Sequence, residues 1–251
     1  MADPDLSWHA ASFGAVADEY AAARPGYPQQ LCDWLVPAGA RQIVDVGAGT
    51  GKFTAALVRP GRTVIAVDPS PAMLAQLRQA LPDIDARTGT TEAIGVPDGW
   101  ADAVTVAQAW HWVDVPAACA EIARVLRPGG HLGLIWNYRD ERVDWVRELG
   151  VAMHAGGDHY AGGIEALPEI AAPFGQPEIR QHSWRQRHDR ATLLDLVRSR
   201  SYFAVMDPQD REGALADVIA LLDTHPELAG RQSFDLPYVT IAFRYALLEK
   251  A

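Results

Sequence analysis

The sequence predicts an α/β protein built on a doubly wound, parallel sheet. Short apolar, β-branched runs alternate along the chain with segments whose apolar residues recur at helical spacing. Caps and breakers punctuate these runs: Ser70-Pro71, Asp114, Pro60-Gly61 and the stretch RPGG at 127–130. The chain has 251 residues, 49% of them apolar, which suits one α/β domain with an elaboration, or at most two small domains.

The elements follow in order. Residues 1–40 precede the first strand and must pack over it from outside. They include a helix near 28–36 with Leu31, Trp34 and Leu35 inward. IVDV at 43–46 is a buried strand. A helix follows the glycines, with Phe53, Leu57 and Val58 spaced to face the sheet, and Pro60-Gly61 ends it. TVIAV at 63–67 is the second strand. Ser70 caps a helix with Pro71 in its first turn and Met73, Leu74, Leu77 and Leu81 inside. A third strand lies near 83–88, and ADAVTVA at 101–107 is the fourth. Asp114 caps a helix with Ala118, Ile122, Val125 and Leu126 on one face; RPGG stops it, and HLGLIW at 131–136 is the fifth strand.

Beyond residue 139 the pattern loosens. Residues 139–176 are helical in places and rich in Gly and Pro. EIRQHSWRQRH at 178–188 reads as a strand. Leu193, Leu194 and Val197 mark a short helix, and Asp207-Pro208 opens another with Leu215, Val218, Ile219 and Leu222 inside. YVTIAFRYALLEK at 238–250 reads as the final strand.

Composition excludes several functions. The formal charge is −10, and an acidic surface repels phosphate backbones, so no nucleic-acid partner is expected. No run of about 18 apolar residues predicts a membrane span. The opening MADPDLSWHA has neither the basic nor the apolar region of a signal peptide. Cys32 and Cys119 match no zinc or redox spacing and read as reduced, partly buried thiols, so the expected location is cytoplasmic.

Three ligands compete for the glycine loop IVDVGAGTGKF at 43–53. A phosphate-cradling loop needs G-x-x-x-x-G-K-[ST]; Val46 and Phe53 stand at two of its fixed positions. A dinucleotide fingerprint needs G-x-G-x-x-G, but its third glycine falls on Lys52. Asp68, at the end of the second strand, suits the ribose hydroxyls of any nucleoside and does not discriminate. The pattern D/E-x-G-x-G-x-G of S-adenosylmethionine sites fits DVGAGTG at 45–51 throughout. Glycines let the backbone pass close to such a ligand, and Asp45 can hold its ammonium directly or through water. A tight turn without a ligand remains the plain alternative.

The loop is one of several motifs in order. VDVGAGTG (44–51), AVDPSPAML (66–74), TTEAIGVPDGWADAV (90–104), AWHWVD (109–114) and LRPGGHLGLI (126–135) together resemble the class I S-adenosylmethionine-dependent methyltransferases. The opening FGAVADEYAAARPGYP (13–28) is similar to that of the broad methyltransferase-11 group, which includes trans-aconitate methyltransferase-like enzymes. The resemblance implies a Rossmann-like, seven-stranded sheet with its last strand antiparallel, an N-terminal helical lid and a helical insertion before the last strand. It implies a single domain over 1–251: lid at 1–40, cofactor-binding core at 41–138, and a substrate-side elaboration with the C-terminal strands at 139–251.

The resemblance also distributes roles. Asp45, Gly47, Gly49 and Gly51 lie under the methionine part of the cofactor, and Asp68 binds the ribose hydroxyls. Pro69 and Met73 flank the adenine, and Thr91 and Glu92 meet its edge, chiefly through backbone. Ala107 and Gln108 approach the sulfonium. Tyr20 and Arg24 belong to the closing segment. Arg24 either pairs with the cofactor carboxylate or ties the lid to the domain. Trp110, His111 and Trp112 follow the fourth strand, and Trp136 and Tyr138 the fifth, at the carboxyl edge where open α/β sheets bind ligands. Their faces suit a cationic sulfonium and a flat or apolar acceptor, although packing under the cap competes, most of all for Trp136. Tyr202 and Phe203 line the acceptor pocket from the inserted helices in the same reading. His111 is the candidate general base for a hydroxyl acceptor, or else a structural residue. A carboxylate or thiolate acceptor needs no base.

Six arginines between 180 and 200 offer either an acid-recognising face or a solvated surface. AQAWHW replaces the [DNS]-P-P-[YFW] of adenine and glutamine-amide methyltransferases, no Pro-Cys or Thr-Cys pair suits cytosine, and no acidic cluster suggests a metal. The expected activity is therefore methyl transfer to a small molecule. A nicotinamide-dependent oxidoreductase and a catalytically silent cofactor-binding module remain the alternatives.

Overall fold

A computed structural model of the chain describes residues 24–153, 167–200, 202, 203 and 206–248. Tyr20 and most of the expected lid lie outside these residues. The sheet has seven strands in the order β3-β2-β1-β4-β5-β7-β6. They are β1 (Gln42–Val46), β2 (Thr63–Asp68), β3 (Asp85–Thr88), β4 (Ala101–Ala107), β5 (Leu126–Arg139), β6 (Glu178–His188) and β7 (Phe234–Ala246). The first five pair in parallel, and β7 runs antiparallel between β5 and β6, as the resemblance implies. The order reverses at β1 and β4, so their carboxyl ends flank the topological switch point.

Helices cover both faces. Helix α1 (Gln29–Leu35) lies against the face bearing Ile43, Ala103 and Ile135, with α2 (Lys52–Leu57) beside it. Its fit is close: a Cβ at Gly133 on β5 would stand 2.6 Å from Leu35. Helices α3 (Pro71–Ala80) and α4 (Val115–Val125) begin at the expected caps; Ser70 Oγ accepts from the Met73 N–H and Asp114 Oδ1 from the Ala117 N–H. Ala118, Ile122, Val125 and Leu126 are all buried in the main core.

Three expectations shift. Val58 is 41% exposed, because α2 ends at Leu57 and the chain turns extended there. Strand β5 begins at Leu126, not His131: RPGG forms an irregularity within the strand, with Leu126 opposite Ala101, His131 opposite Ala103 and Gly129 in a left-handed conformation (φ 76°). Strand β7 begins at Phe234, because its partner β6 runs to His188.

The antiparallel β6–β7 pair outruns the rest of the sheet. Its last pair with β5 is Arg139 with Tyr238, but β6 and β7 stay paired through Phe234 and His188. Four further pairs carry it about 13 Å beyond the carboxyl edge. Helices α5 (Asp144–Ala152), α6 (Arg190–Arg198) and α7 (Pro208–Thr224) pack around this extension in a second core that includes Trp145, Leu193, Phe203, Val218, Leu236 and Tyr238. Within α7, Ala214, Val218, Leu221 and Leu222 are buried, while Leu215 and Ile219 are only half-buried. Among the described residues no helix is long and apolar enough to cross a membrane.

Candidate functional site

The three loop glycines do three different things. All have left-handed backbones, with φ of 67° at Gly47, 54° at Gly49 and 83° at Gly51. A Cβ at Gly47 would stand 2.7 Å from the Ala109 Cβ, so this glycine lets the loop touch the chain leaving β4. A Cβ at Gly51 would meet Leu77 of α3 at 2.9 Å. One at Gly49 would meet nothing within 4 Å; this position faces open space. A loop held below by packing and open above is the form a close-lying ligand needs.

Asp68 joins this loop to the next element. Its Oδ2 accepts from the Gly49 N–H at 2.8 Å and its Oδ1 from the Ser70 N–H at 2.8 Å. Only 7% of the residue is exposed. Burial raises its pKa, against the pull of the two amide bonds. Each carboxylate oxygen retains a second lone pair for a hydroxyl. Pro69 beside it is exposed, and Met73 is buried in the first turn of α3.

Asp45 lies deeper than the sequence suggested. It is 1% exposed, on the sheet face beneath α2. Thr54 Oγ1 donates to its Oδ2 at 2.6 Å, and Thr105 Oγ1 lies 3.1 Å from its Oδ1. Thr105 Oγ1 is also 3.3 Å from the Val44 carbonyl. Thr54 and Thr105 thus both present hydroxyls to the carboxyl group. Burial pushes the carboxyl up to about 7, against the pull of these two hydroxyls. The sequence carries no sign of Thr54 and Thr105 as its partners.

Beyond β3, Thr91 is buried, and Glu92 Oε1 accepts from the Asp114 N–H at 3.0 Å, tying this loop to the α4 cap. Ala107 ends β4 half-buried. Gln108 follows with φ 58°, among the described residues the single non-glycine at positive φ. Its N–H donates to the Ile135 carbonyl at 3.0 Å, and its Nε2 to the Asn137 carbonyl at 3.1 Å.

The aromatic residues divide. Trp110 is 4% exposed, with its indole N–H on the Glu169 carbonyl at 2.9 Å. Trp136 is 8% exposed, edge-on to Phe243. Both belong to the main core and offer little open face. His111 is exposed, with its ring 4.7 Å from the half-buried Trp112. Tyr138 is half-buried against the main core, and Tyr202 against the second core.

The segment before α1 crosses this edge. Tyr27 packs edge-on against Phe53 at 4.9 Å, Gly26 accepts from Asn137 Nδ2 at 2.9 Å, and Arg24 Nη2 donates to the Ser199 carbonyl at 3.1 Å. Arg24 thus ties the segment to the end of α6. Asn137, not singled out in the sequence, is a junction: Trp184 Nε1 donates to Thr240 Oγ1 at 2.7 Å, which donates to Asn137 Oδ1 at 2.6 Å. The arginines of 180–200 are largely surface straps. Arg187 meets Ser233, Arg190 meets Asp223, Arg198 meets Asp195, and Arg180 stacks over Trp34.

Comparison with known proteins gives consistent matches. The model of a family described as a methyltransferase domain matches residues 44–134. An uncharacterized methyltransferase of Mycobacterium tuberculosis is 50% identical over 236 residues, 94% of this chain and 96% of that protein. Another from Schizosaccharomyces pombe is 30% identical over 232 residues, 90% of this chain and 92% of that protein. Among solved structures, a putative type II methyltransferase from Anaeromyxobacter dehalogenans superposes with a TM-score of 0.63 at 25% identity, covering 89% of this chain and 97% of that one.

Proposed function

The chain belongs to the methyltransferase domain family, and from that premise we propose that it transfers a methyl group from S-adenosylmethionine to an oxygen, nitrogen or carbon of a small molecule by direct displacement. The observation that carries this reading is the open Gly49 turn hydrogen-bonded to the buried carboxylate of Asp68. The cofactor supplies an electrophilic methyl group on a positively charged sulfur. Gly47, Gly49 and Gly51 pass beneath its methionine part, and Asp68 accepts from the ribose hydroxyls. Pro69, Met73, Thr91 and Glu92 surround the adenine, and Ala107 approaches the sulfur. In this reading the chain acts as one unit, with the cofactor held by 41–138 and the acceptor side supplied largely from 139–251. Trp112, Tyr138 and Tyr202, all half-exposed, offer aromatic faces to the acceptor. The charge of −10 favours a small acceptor over a nucleic acid.

Calorimetric titration with S-adenosylhomocysteine, S-adenosylmethionine and NADH tests the reading. Micromolar binding of the first two without NADH supports it. NADH binding alone would replace it with an oxidoreductase, and cofactor binding without turnover on any acceptor would leave a silent module. Asp68→Ala should weaken S-adenosylhomocysteine by about 1–3 kcal/mol, the cost of unpaired polar groups; unchanged affinity removes Asp68 from the ribose.

His111 is the base when the acceptor is a hydroxyl. Its exposure after β4 supports access to a bound acceptor. His111→Ala should then lower turnover roughly a hundredfold, whereas a rate near wild type assigns it to packing against Trp112.

A further inference from the structure

We propose that Gln108 orients the methyl acceptor, its side-chain oxygen accepting a hydrogen bond from an acceptor hydroxyl or amine. This rests on the cofactor site proposed above.

The orientation of the carboxamide is forced. Its partner, the Asn137 carbonyl at 3.1 Å, can only accept, so the nitrogen faces β5. Oε1 is therefore turned away from the Asn137 carbonyl, at the carboxyl end of β4 where open α/β sheets bind ligands. Gln108 occupies the place where the next rung between β4 and β5 would lie, its N–H on Ile135 and its side chain on Asn137. Its neighbour Ala109 touches Gly47. Gln108 thus sits at the carboxyl end of β4, beside the residue that meets the glycine loop. With its amino-acid end held by the β1 loop, the cofactor would present its methyl group toward the end of β4.

The backbone supports a role in the site. A glutamine at φ 58° is strained, and such strain persists where surrounding structure imposes it. The nearby acids have other work. Asp45 is buried under α2, and Asp68 is bound to Gly49 and Ser70. That leaves Oε1 as a neutral acceptor at the end of β4. A neutral oxygen suits a nucleophile that arrives with a proton, not a carboxylate or thiolate. During transfer the nucleophile's lone pair forms the bond to the methyl carbon. The carbon–sulfur bond breaks with its electron pair on sulfur, and the proton leaves to His111 from a hydroxyl acceptor or to water from an amine; the amide takes none.

Sinefungin provides the probe, because it carries a protonated amine at the transfer position that S-adenosylhomocysteine lacks. Wild-type protein should prefer sinefungin. Gln108→Gly relieves the backbone strain and should melt within a few degrees of wild type; Gln108→Met keeps the side-chain length without polar atoms. Both should reduce the sinefungin preference about tenfold, the size of a hydrogen bond to a charged group, and leave S-adenosylhomocysteine nearly unchanged. Equal weakening of both ligands would place the oxygen at the amino-acid end, and an unchanged ratio would make Gln108 structural; either overturns the proposal. If neither ligand binds wild-type protein, the cofactor reading fails first and this proposal falls with it.

Discussion

Gly47→Ala is expected to abolish measurable binding of S-adenosylhomocysteine and to destabilise the protein by about 2–5 kcal/mol. Two costs add. The left-handed backbone at φ 67° costs alanine roughly 1–2 kcal/mol. The new methyl would stand 2.7 Å from the Ala109 Cβ, and relieving that overlap costs about 1–3 kcal/mol more. Neither atom can swing aside, since each Cβ is fixed to backbone, so the loop or the chain after β4 must move. Loss of more than a hundredfold in affinity is the expected consequence. Gly61→Ala is the control: its φ is 79°, but nothing lies within 4 Å of the added methyl. It should lose about 1 kcal/mol of stability and no affinity. Equal losses of stability in the two variants would mean the contact with Ala109 carries no strain.

The second large effect is on stability against pH. Asp45 has an ordinary carboxyl pKa near 4 in the unfolded chain and one of about 7 in the folded protein. Below about pH 4 both states hold the proton, the stability contributed by the neutral carboxyl is fully present, and it does not vary with pH. Between about pH 4 and pH 7 the folded state binds more protons than the unfolded one, so stability falls as pH rises. The slope reaches about 1.4 kcal/mol per pH unit, and the loss is complete above about pH 7. Asp68, also raised by burial, acts in the same direction. Denaturant titrations of wild type and Asp45→Asn across pH 4–8 isolate the Asp45 part, because asparagine cannot ionise. The gap between the two curves should change by a few kcal/mol over that range. Parallel curves would show that Asp45 is already ionised in the folded protein.

Much of the site's scaffold was legible because local chemistry specified it. Ser70 and Asp114 announce helix starts through side chains that satisfy amides three residues on. Strand β6 showed its extent because it sits at the sheet's edge, where polar residues alternate along a solvated face. The start of β5 was not legible: RPGG reads as a break, yet it bends within a continuing strand because β4 pairs with Leu126 before it and His131 after it. Trp110 and Trp136 look alike with Trp112 in the sequence, and only contacts from distant residues, Glu169 and Phe243, distinguish them.

The sequence by itself determined the alternation of strands and helices, the glycine loop with its aspartates, and the family. Each is written in residues close together along the chain, where spacing alone dictates geometry. Only the tertiary structure decided that Asp45 is enclosed by Thr54 and Thr105, that Asn137 joins Gly26 to Thr240, and that Gln108 turns its oxygen away from the Asn137 carbonyl. Thr105, Asn137 and Thr240 come from strands adjacent in the sheet but remote in sequence. Burial and the direction of a hydrogen bond depend on that adjacency, and no local pattern encodes it.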